Sequence, residues 1–276
     1  MNIAHTKFGI IEYRLTGVGA HTVLLLYGGH TNAGIRLGEE YFLERGYKIL
    51  TVSRPGYGGT PLSTGRTPDS FADALAELLK QLAITKVLVI GISGGGPTAM
   101  RFAAKYWAMT DKLILQSSIS FAPWPSRFIW LGSHLVFSPI FEKYTWQFIR
   151  FLLRRSPRTA IKIMIGSMTT LNPDKVVNNF SQQQLQQLVD LFAHMSSGRG
   201  FLNDIKTVSG DAREVKVPTL IIHSKYDKSV PPEHAHILAE QIKGSRLYLS
   251  EAESHLIWFS SHYPEIKNKM DEFLRS

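Results

Sequence analysis

The chain has 276 residues, 44% of them hydrophobic and 19% charged, which is typical of a globular protein with a large core. It contains no cysteine, so thiol catalysis, disulfide bonds and cysteine-ligated zinc are excluded. The N-terminus is mixed and polar, unlike a signal peptide, and no apolar run reaches the length of about eighteen residues that a membrane-spanning helix needs. We therefore expect a cytoplasmic protein.

Apolar runs alternate with helical patterns along the first part of the chain. A loosely alternating stretch over Lys7–Leu15, with a turn at Gly17–Gly19, predicts an N-terminal hairpin. Short apolar runs over Thr22–Tyr27 and Tyr47–Val52 predict strands that are buried on both faces. Thr67, followed by a proline and an aspartate, is typical of a helix N-terminus. This order indicates an α/β protein with a mainly parallel sheet.

The most informative stretch joins a buried strand to a helix through a G-x-S-x-G sequence. Val87–Ile90 is apolar and mostly β-branched, Gly91–Gly95 is the pentapeptide, and a helical run covers Thr98–Tyr106. A serine on so tight a turn must adopt a strained backbone, and glycines two residues before and after it remove the Cβ atoms that would clash. The pattern therefore predicts a nucleophile elbow with Ser93 at its tip.

Other kinds of glycine-rich turn fit this stretch less well. Ser93 occupies the place of the second glycine in a dinucleotide-binding G-x-G-x-x-G, and the chain has no Gly-Lys-Ser/Thr of a phosphate-binding loop. A strand-to-helix turn without any chemistry stays open from this stretch alone. The rest of the chain must therefore supply a base and an acid.

The alternation of strands and helices stops after the strand predicted at Lys112–Ser117. Phe121–Gly200 has no convincing strand but several helical patterns, including a Ser-Gln-Gln-Gln capping box. The α/β pattern then resumes with a strand, a helix, a strand and a broken helix, at Thr219–His223, Pro231–Ile242, Arg246–Leu249 and Leu256–Leu274. We therefore expect an α/β core of residues 1–118 and 210–276, with a helical cap, or lid, inserted at residues 119–209.

Two loops late in the chain carry the histidine and the acid that Ser93 needs as a nucleophile. Asp227 follows one predicted strand and His255 follows the last one, so both lie at the sheet edge where carboxyl ends of parallel strands meet. An ordinary turn aspartate is the alternative interpretation of Asp227. Asp204 and Asp211 are the other candidate acids, although both lie before the strand rather than after it.

Four motifs in this order resemble the α/β-hydrolase superfamily over residues 22–118 and 215–276. They are Gly-Ile-Ser-Gly-Gly-Gly-Pro around Ser93, Arg-Pro-Gly-Tyr-Gly-Gly from Arg54, Asp-x-x-Val-Pro from Asp227 and His-Leu from His255. The resemblance implies the α/β-hydrolase fold, a mostly parallel twisted sheet flanked by helices, with the middle of the chain as a cap.

The resemblance also implies the roles of the site residues. Ser93 is the expected nucleophile, His255 the general base and then the general acid, and Asp227 the residue that orients His255. The expected oxyanion hole consists of the backbone N–H groups of Gly94 and Gly29, the latter in the loop after an early strand. The resemblance implies no cofactor and no metal.

Serine rather than aspartate as the nucleophile narrows the reaction class. Related dehalogenases and epoxide hydrolases attack with a carboxylate, so acyl transfer to water remains. Relatives that release N-terminal proline hold the substrate ammonium with acidic cap residues, whereas Glu142 is the only acid between Ile119 and Gly166. We therefore expect carboxylic-ester hydrolysis through an acyl-enzyme. A cofactor-free lyase, a C–C hydrolase, a perhydrolase and a non-catalytic small-molecule receptor stay open as alternatives.

The helical insertion is aromatic and basic, which bears on what it contacts. We expect Trp124 and Phe128 to line an apolar acyl pocket, and His30, which flanks the expected oxyanion loop, to contact the substrate. Residues 119–166 carry seven basic residues and one acid, or +6 of the net charge of +9. Peripheral contact with an anionic membrane is one interpretation of this cluster, and a solvated face or a subunit interface is another. We expect no nucleic-acid partner, a small and apolar acyl substrate, and a monomer or homodimer.

Overall fold

One mixed β-sheet forms the centre of the molecule. The structure, a computed structural model, describes residues 1–124 and 127–276, apart from the side chains of residues 127–129 and 131. The strands of this described part are β1 (Asn2–Thr6), β2 (Gly9–Thr16), β3 (Thr22–Leu26), β4 (Lys48–Val52), β5 (Val87–Ile92), β6 (Thr110–Gln116), β7 (Thr219–Ser224) and β8 (Arg246–Ser250). They lie in the order β1-β2-β4-β3-β5-β6-β7-β8, and the pairings from β4 to β8 are all parallel. The predicted fold class is confirmed.

The N-terminal hairpin forms earlier in the chain than the sequence predicted. β1 and β2 pair antiparallel around a turn at residues 7–8, and the Thr6 hydroxyl donates to the Gly9 carbonyl oxygen at 2.8 Å. Gly17–Gly19, predicted as the turn, instead lies between β2 and β3. The prediction was wrong because Gly9, with a φ of +133°, supplies by itself the conformation that closes the hairpin.

Helices cover both faces of the sheet. They are α1 (Glu40–Leu43), α2 (Pro68–Gln81), α3 (Gly96–Lys105), α4 (Arg127–Val136), α5 (Glu142–Arg155), α6 (Pro157–Gly166), α7 (Pro173–Asn178), α8 (Gln182–His194), α9 (Gly200–Thr207), α10 (Glu233–Gln241) and α11 (Tyr263–Arg275). The buried apolar residues of α2, α3 and α10 form one cluster with the sheet, and those of α1 and α11 belong to a second cluster. This double cover explains why β3, β5 and β7 are buried along their whole length.

Two helix starts carry the caps that their sequences predict. At α2 the Thr67 hydroxyl accepts from the Ser70 backbone N–H at 3.1 Å, and Pro68 occupies the first turn. At α8 the Ser181 hydroxyl accepts from the Gln184 N–H at 3.2 Å, while the Gln184 side chain accepts from the Ser181 N–H at 2.8 Å. Each cap stabilises its helix by about 1 kcal/mol.

The helical insertion, defined as residues 119–209, follows β6 and contains α4 to α9. Its described residues form no strand apart from an isolated bridge between Thr169 and Asp227. Buried side chains such as Trp146, Leu188 and Phe192 join the apolar cluster that also contains Ile35, so insertion and sheet domain share a continuous core. The boundaries of the insertion stay a prediction. Within the described ranges, no helix has both the length and the apolar character needed to cross a bilayer.

Candidate active site

Ser93 lies between β5 and α3, on the turn predicted as the elbow. Its φ is +50°, a left-handed conformation that costs a non-glycine residue on the order of 1–3 kcal/mol. The flanking glycines are needed for space. A Cβ added to Gly91 would lie 2.6 Å from the Ala99 Cβ, and one added to Gly95 would lie 2.2 Å from a backbone carbonyl oxygen. The serine side chain is therefore held, partly exposed, at the N-terminus of α3, where the helix dipole favours negative charge.

Asp227 and His255 form a short hydrogen bond beyond the carboxyl ends of β7 and β8. The His255 Nδ1–H donates to Asp227 Oδ2 at 2.6 Å, and Asp227 Oδ1 accepts from the Val230 backbone N–H at 2.9 Å. Burial alone would raise the pKa of Asp227, but the facing His255 and His223 rings outweigh burial and hold it below its ordinary value. In the neutral ring, the ionised carboxylate fixes the proton on Nδ1, so that Nε2 of His255 is the nitrogen that can accept one.

A second histidine, His223, also faces the carboxylate of Asp227. Its Nε2 lies 2.8 Å from the Val230 carbonyl oxygen and 3.3 Å from Asp227 Oδ2. Since both neighbours are acceptors, Nε2 carries the proton, and Nδ1 is buried without a hydrogen-bond partner among the described groups. The position of His223 inside a strand predicts only a core residue. The spacing His223-x-x-x-Asp227 across the strand end is the signal that could have shown its contact.

Three hydrogen bonds connect the elbow and the histidine loop to neighbouring segments of the chain. The Ser117 hydroxyl donates to the His255 carbonyl oxygen at 3.0 Å, and the Ile119 N–H donates to the Ser93 carbonyl oxygen at 3.2 Å. The His255 N–H in turn donates to the Met168 carbonyl oxygen at 2.9 Å. Ser93 and the Asp227–His255 pair thus lie at the same edge of the sheet. The described contacts include no Ser93–His255 hydrogen bond, a link that is often long in enzymes without bound substrate.

The two glycines predicted to form the oxyanion hole lie side by side next to Ser93. A Cβ added to Gly94 would lie 3.5 Å from the Gly29 nitrogen. A Cβ added to Gly28 would lie 2.6 Å from the Ser93 Cβ and 3.1 Å from its hydroxyl oxygen. The loop after β3 therefore passes so close to the serine that only glycine fits at Gly28. This close approach is the geometry that two backbone donors need to serve one oxygen atom.

Arg54 fixes the loop after β3 through hydrogen bonds to two of its carbonyl oxygens. Its Nε donates to the Tyr27 carbonyl oxygen at 2.7 Å, and its Nη2 donates to the Gly28 carbonyl oxygen at 2.9 Å. The same guanidinium binds both oxygens of Asp204, at 2.8 and 2.7 Å, and Asp204 also accepts from the Tyr57 hydroxyl at 2.6 Å. Asp204, a candidate acid in the sequence, thus forms an ion pair with an arginine and not with a histidine.

The remaining predicted residues have distinct surroundings. The other candidate acid, Asp211, accepts from the Arg213 backbone N–H at 2.9 Å in a short helical turn. The Trp124 indole N–H donates to the Ser229 carbonyl oxygen at 2.8 Å. The side chain of Phe128 lies outside the described residues. Among the described residues, no group of three or more histidine, aspartate or glutamate side chains is arranged to hold a metal ion.

His30 lies next to Gly29 and inside an aromatic cluster. Its ring centroid is 4.1 Å from that of Phe201, 4.6 Å from that of Phe137 and 5.3 Å from that of Trp146. Burial, together with the nearby Arg54 charge, lowers the pKa of His30 to about 3. His30 is therefore neutral at physiological pH, and aromatic side chains of the helical insertion cover the loop that carries Gly29.

A mostly parallel sheet with a serine elbow after its central strand, and with acid and histidine after the last two strands, defines the α/β-hydrolase class. A model of this class, described as the alpha/beta hydrolase family, matches residues 28–266, and the chain belongs to that family. The match spans the elbow, both late loops and the whole helical insertion.

Individual relatives point the same way. The chain is 32% identical over 274 residues to an uncharacterized hydrolase, YcgS, of Bacillus subtilis (strain 168), covering 97% of this chain and 96% of the relative. It is 24% identical over 287 residues to a 2-hydroxy-6-oxononadienedioate/2-hydroxy-6-oxononatrienedioate hydrolase of Burkholderia vietnamiensis, covering 96% and 91%. The structure of an alpha/beta hydrolase fold protein from Nakamurella multipartita superposes with a TM-score of 0.83 at 24% identity, covering 99% and 98%. The protein is a hydrolase of the α/β fold.

Proposed function

We propose that the protein hydrolyses carboxylic esters of small, apolar acyl compounds through a covalent acyl-enzyme. Ser93 is the nucleophile, His255 the general base and acid, and Asp227 the residue that orients and stabilises the histidine. The observation that carries the proposal is the 2.6 Å hydrogen bond between His255 Nδ1 and Asp227 Oδ2 at the sheet edge that also carries the Ser93 elbow. In the neutral imidazole, a pair of this kind holds the proton on Nδ1, so that Nε2 is the nitrogen that can accept the proton of Ser93.

Each step of the reaction uses these groups in turn. Ser93 Oγ attacks the ester carbonyl carbon while its proton passes to His255 Nε2, and the carbonyl oxygen becomes an oxyanion between the N–H groups of Gly29 and Gly94. The carbon–oxygen bond to the alcohol then breaks, and the alcohol leaves with the proton from Nε2. A water molecule, deprotonated by the same nitrogen, releases the carboxylic acid and restores Ser93. The ionised Asp227 stabilises the imidazolium that forms in both halves.

The surroundings of Gly29 favour an apolar acyl group. A Cβ added to Gly29 would lie 3.0 Å from the Phe201 ring, and the rings of Phe137 and Trp124 pack against Phe201. His30, neutral because its pKa is about 3, adds no charge there. Each methylene buried against such a surface contributes about 0.8 kcal/mol, or roughly a fourfold gain in kcat/KM, until the available space is filled.

Hydrolysis of a carbon–carbon bond beside a ketone is the second candidate. The observation that favours it is the full-length likeness to a hydrolase named for 2-hydroxy-6-oxononadienedioate. A dioate of that kind carries two carboxylates and calls for cationic partners. Arg54, whose Nη2 lies 3.6 Å from a Cβ added to Gly94, already uses four of its five N–H groups on Asp204 and two backbone carbonyls. Because Arg54 already pairs with the carboxylate of Asp204, it is not free to bind a substrate carboxylate, which supports the ester over the dioate.

The test combines active-site labelling with a comparison of substrates. The protein should react with a fluorophosphonate and hydrolyse a series of p-nitrophenyl esters with a rise and then a break in kcat/KM as the acyl chain lengthens. Ser93→Ala should abolish labelling and lower kcat by roughly four or more orders of magnitude with the fold retained. Undiminished turnover in Ser93→Ala removes the serine from the mechanism. A higher kcat/KM on a 2-hydroxy-6-oxo-dienoate than on any ester selects the second candidate, and no labelling at all favours a receptor.

A further inference from the structure

One face of α5 presents aromatic side chains to the outside. Phe141, Tyr144, Phe148 and Phe151, here called the aromatic stripe, are 49%, 64%, 61% and 60% exposed. Their spacings of three, four and three residues place them on a single face of the helix. Ile140, which precedes the stripe directly, is 71% exposed. An amphipathic helix on a globular protein normally turns polar side chains outward, so a contiguous aromatic face marks a contact surface.

The aromatic stripe ends in a cluster of arginines. Arg155 follows Phe151 by four residues and continues the same helix face, and Arg154 and Arg158 are exposed beside it. Among the described side chains, no carboxylate forms a salt bridge with these three arginines, here called the basic end. Glu142, at the other end of α5, points inward, because its Oε1 accepts from two backbone N–H groups at 2.8 and 3.2 Å.

We propose that the aromatic stripe and the basic end dock the protein onto an anionic lipid bilayer. Aromatic rings fit the boundary between headgroups and acyl chains, while arginines at the same depth bind lipid phosphates. The basic end gives the surface charge complementarity to acidic lipids. The charges also argue against a second copy of this chain. In an antiparallel self-contact the arginines would meet exposed Lys143, and in a parallel one they would meet themselves.

Docking in this way leaves the candidate active site intact. Trp146, on the opposite face of α5, is buried, donates to the Ser197 hydroxyl at 2.9 Å and packs on His30 at a centroid distance of 5.3 Å. The face that meets the bilayer is therefore not the face that covers the loop with Gly29. Substitutions in the stripe should not alter turnover of a water-soluble ester, which separates this proposal from the proposed function.

The experiment is sedimentation of the full chain with vesicles of phosphatidylcholine alone or mixed with phosphatidylglycerol. Binding is expected only to the mixed vesicles, and weaker at about 0.5 M salt than at about 0.1 M because screening shortens the reach of the basic end. Arg154→Glu with Arg155→Glu, and separately Phe148→Ser with Phe151→Ser, should each weaken binding roughly tenfold or more. The control is Lys80→Glu with Trp107→Ser, which reverses one exposed cation and removes one aromatic residue, 65% exposed, elsewhere on the molecule.

Three results would overturn the proposal. They are no binding to mixed vesicles, equal loss of binding in the control, and unchanged binding in both pairs of variants. Sedimentation velocity tests whether a second copy of the chain, rather than a bilayer, covers the aromatic stripe. A dimer that dissociates on Phe148→Ser with Phe151→Ser, without vesicle binding, assigns the stripe to self-association instead. Circular dichroism checks the fold of each variant, and the salt dependence of the unmodified chain tests the basic end without any substitution.

Discussion

Buried Arg54 and partly buried Asp204 form a bidentate ion pair that links α9 of the helical insertion to the loop after β3. The two N–O distances are 2.8 and 2.7 Å, and the same Nη2 donates to the Gly28 carbonyl oxygen at 2.9 Å. That carbonyl belongs to the peptide unit whose N–H is that of Gly29. Arg54 therefore fixes the direction in which the Gly29 N–H points, and Asp204 fixes Arg54. A hydrogen bond to the carbonyl also polarises the peptide and strengthens its N–H as a donor.

Replacing Arg54 with lysine should lower kcat by roughly ten- to a hundredfold while KM changes little. A lysine keeps the charge but cannot bind the Asp204 carboxylate and the Gly28 carbonyl oxygen with one planar group. The Gly29 N–H would then lose its fixed direction, and its contribution to binding an oxyanion would fall. Steady-state kinetics on a p-nitrophenyl ester measure the split between kcat and KM.

Arg14→Lys is the matched control for this experiment. Arg14 forms a comparable ion pair with Glu39, at 2.5 and 3.1 Å, but donates to the carbonyl oxygens of Ala33 and Ile35 instead of Gly28. In either place lysine keeps the positive charge and loses the bidentate contact with the carboxylate, so we expect the two variants to be destabilised to a similar extent. If the two variants lose kcat equally, general destabilisation explains the effect and the positioning role of Arg54 is wrong.

Gly28→Ala should reduce turnover and fluorophosphonate labelling far more than Gly29→Ala. A Cβ on Gly28 would meet the Ser93 Cβ at 2.6 Å and its hydroxyl oxygen at 3.1 Å, so the nucleophile or the loop must move. A Cβ on Gly29 meets mainly the edge of the Phe201 ring, at 3.0 and 3.3 Å, and a ring can shift. We expect a loss of roughly a hundredfold for Gly28→Ala. Labelling rates on both variants, with thermal melts, check this, and equal rates would contradict it.

The parts of this site that the sequence predicted follow either from neighbouring residues in the chain or from the topology of the sheet. The strand before Ser93, the glycines around it and the helix after it are neighbours in the chain, so spacing alone indicates the turn. Asp227 and His255 were predicted from the topology, because carboxyl ends of parallel strands meet at one edge.

Contacts that depend on distant packing were not predicted. Arg54 and Asp204 are 150 residues apart, and nothing in a local pattern pairs an arginine after a strand with an aspartate inside a helical insertion. The Arg-Pro-Gly-Tyr-Gly-Gly motif marked the position of Arg54 but not its partners. His223 was interpreted as a core residue, since a strand position predicts burial and not which carboxylate a ring nitrogen faces.

Asp227→Asn should lower kcat by about four orders of magnitude, and His223→Gln by roughly tenfold. An asparagine in place of Asp227 no longer holds the His255 proton on Nδ1, so the wrong tautomer forms. His223 makes the longer contact to Asp227, 3.3 Å against 2.6 Å, and a glutamine amide can still donate to the Val230 carbonyl oxygen. Steady-state kinetics on a p-nitrophenyl ester measure kcat for both variants. Near-normal activity in Asp227→Asn would show that this acid assignment is wrong.

The free energy of unfolding should fall as the pH is lowered from 7 to 5, and His234 should account for a measurable share. Burial, reinforced by the facing His223, lowers the pKa of His234 to about 4 from 6.5, and its Nδ1 accepts from the Ser120 N–H at 3.2 Å. Between these two values the unfolded chain binds a proton that the folded chain does not, so stability is present above pH 6.5 and lost as the pH falls towards 4. The expected loss from this residue between pH 7 and 5 is about 2 kcal/mol.

Denaturant unfolding of His234→Gln at both pH values isolates that share. Glutamine can still accept from the Ser120 N–H but does not titrate, so the difference in unfolding free energy between pH 7 and 5 should shrink by about 2 kcal/mol. His236→Gln, a substitution at an exposed histidine on the same helix, should leave the difference as it is in the unmodified chain. The pKa of His30, lowered to about 3 by burial and by Arg54, also makes the unfolding free energy fall as the pH is lowered. Part of the pH dependence therefore remains in both variants. The lowered pKa of Asp227 acts only at more acidic pH, since an aspartate in the unfolded chain stays ionised down to about pH 4. An identical pH dependence in His234→Gln and His236→Gln would show that His234 is not buried as a neutral ring.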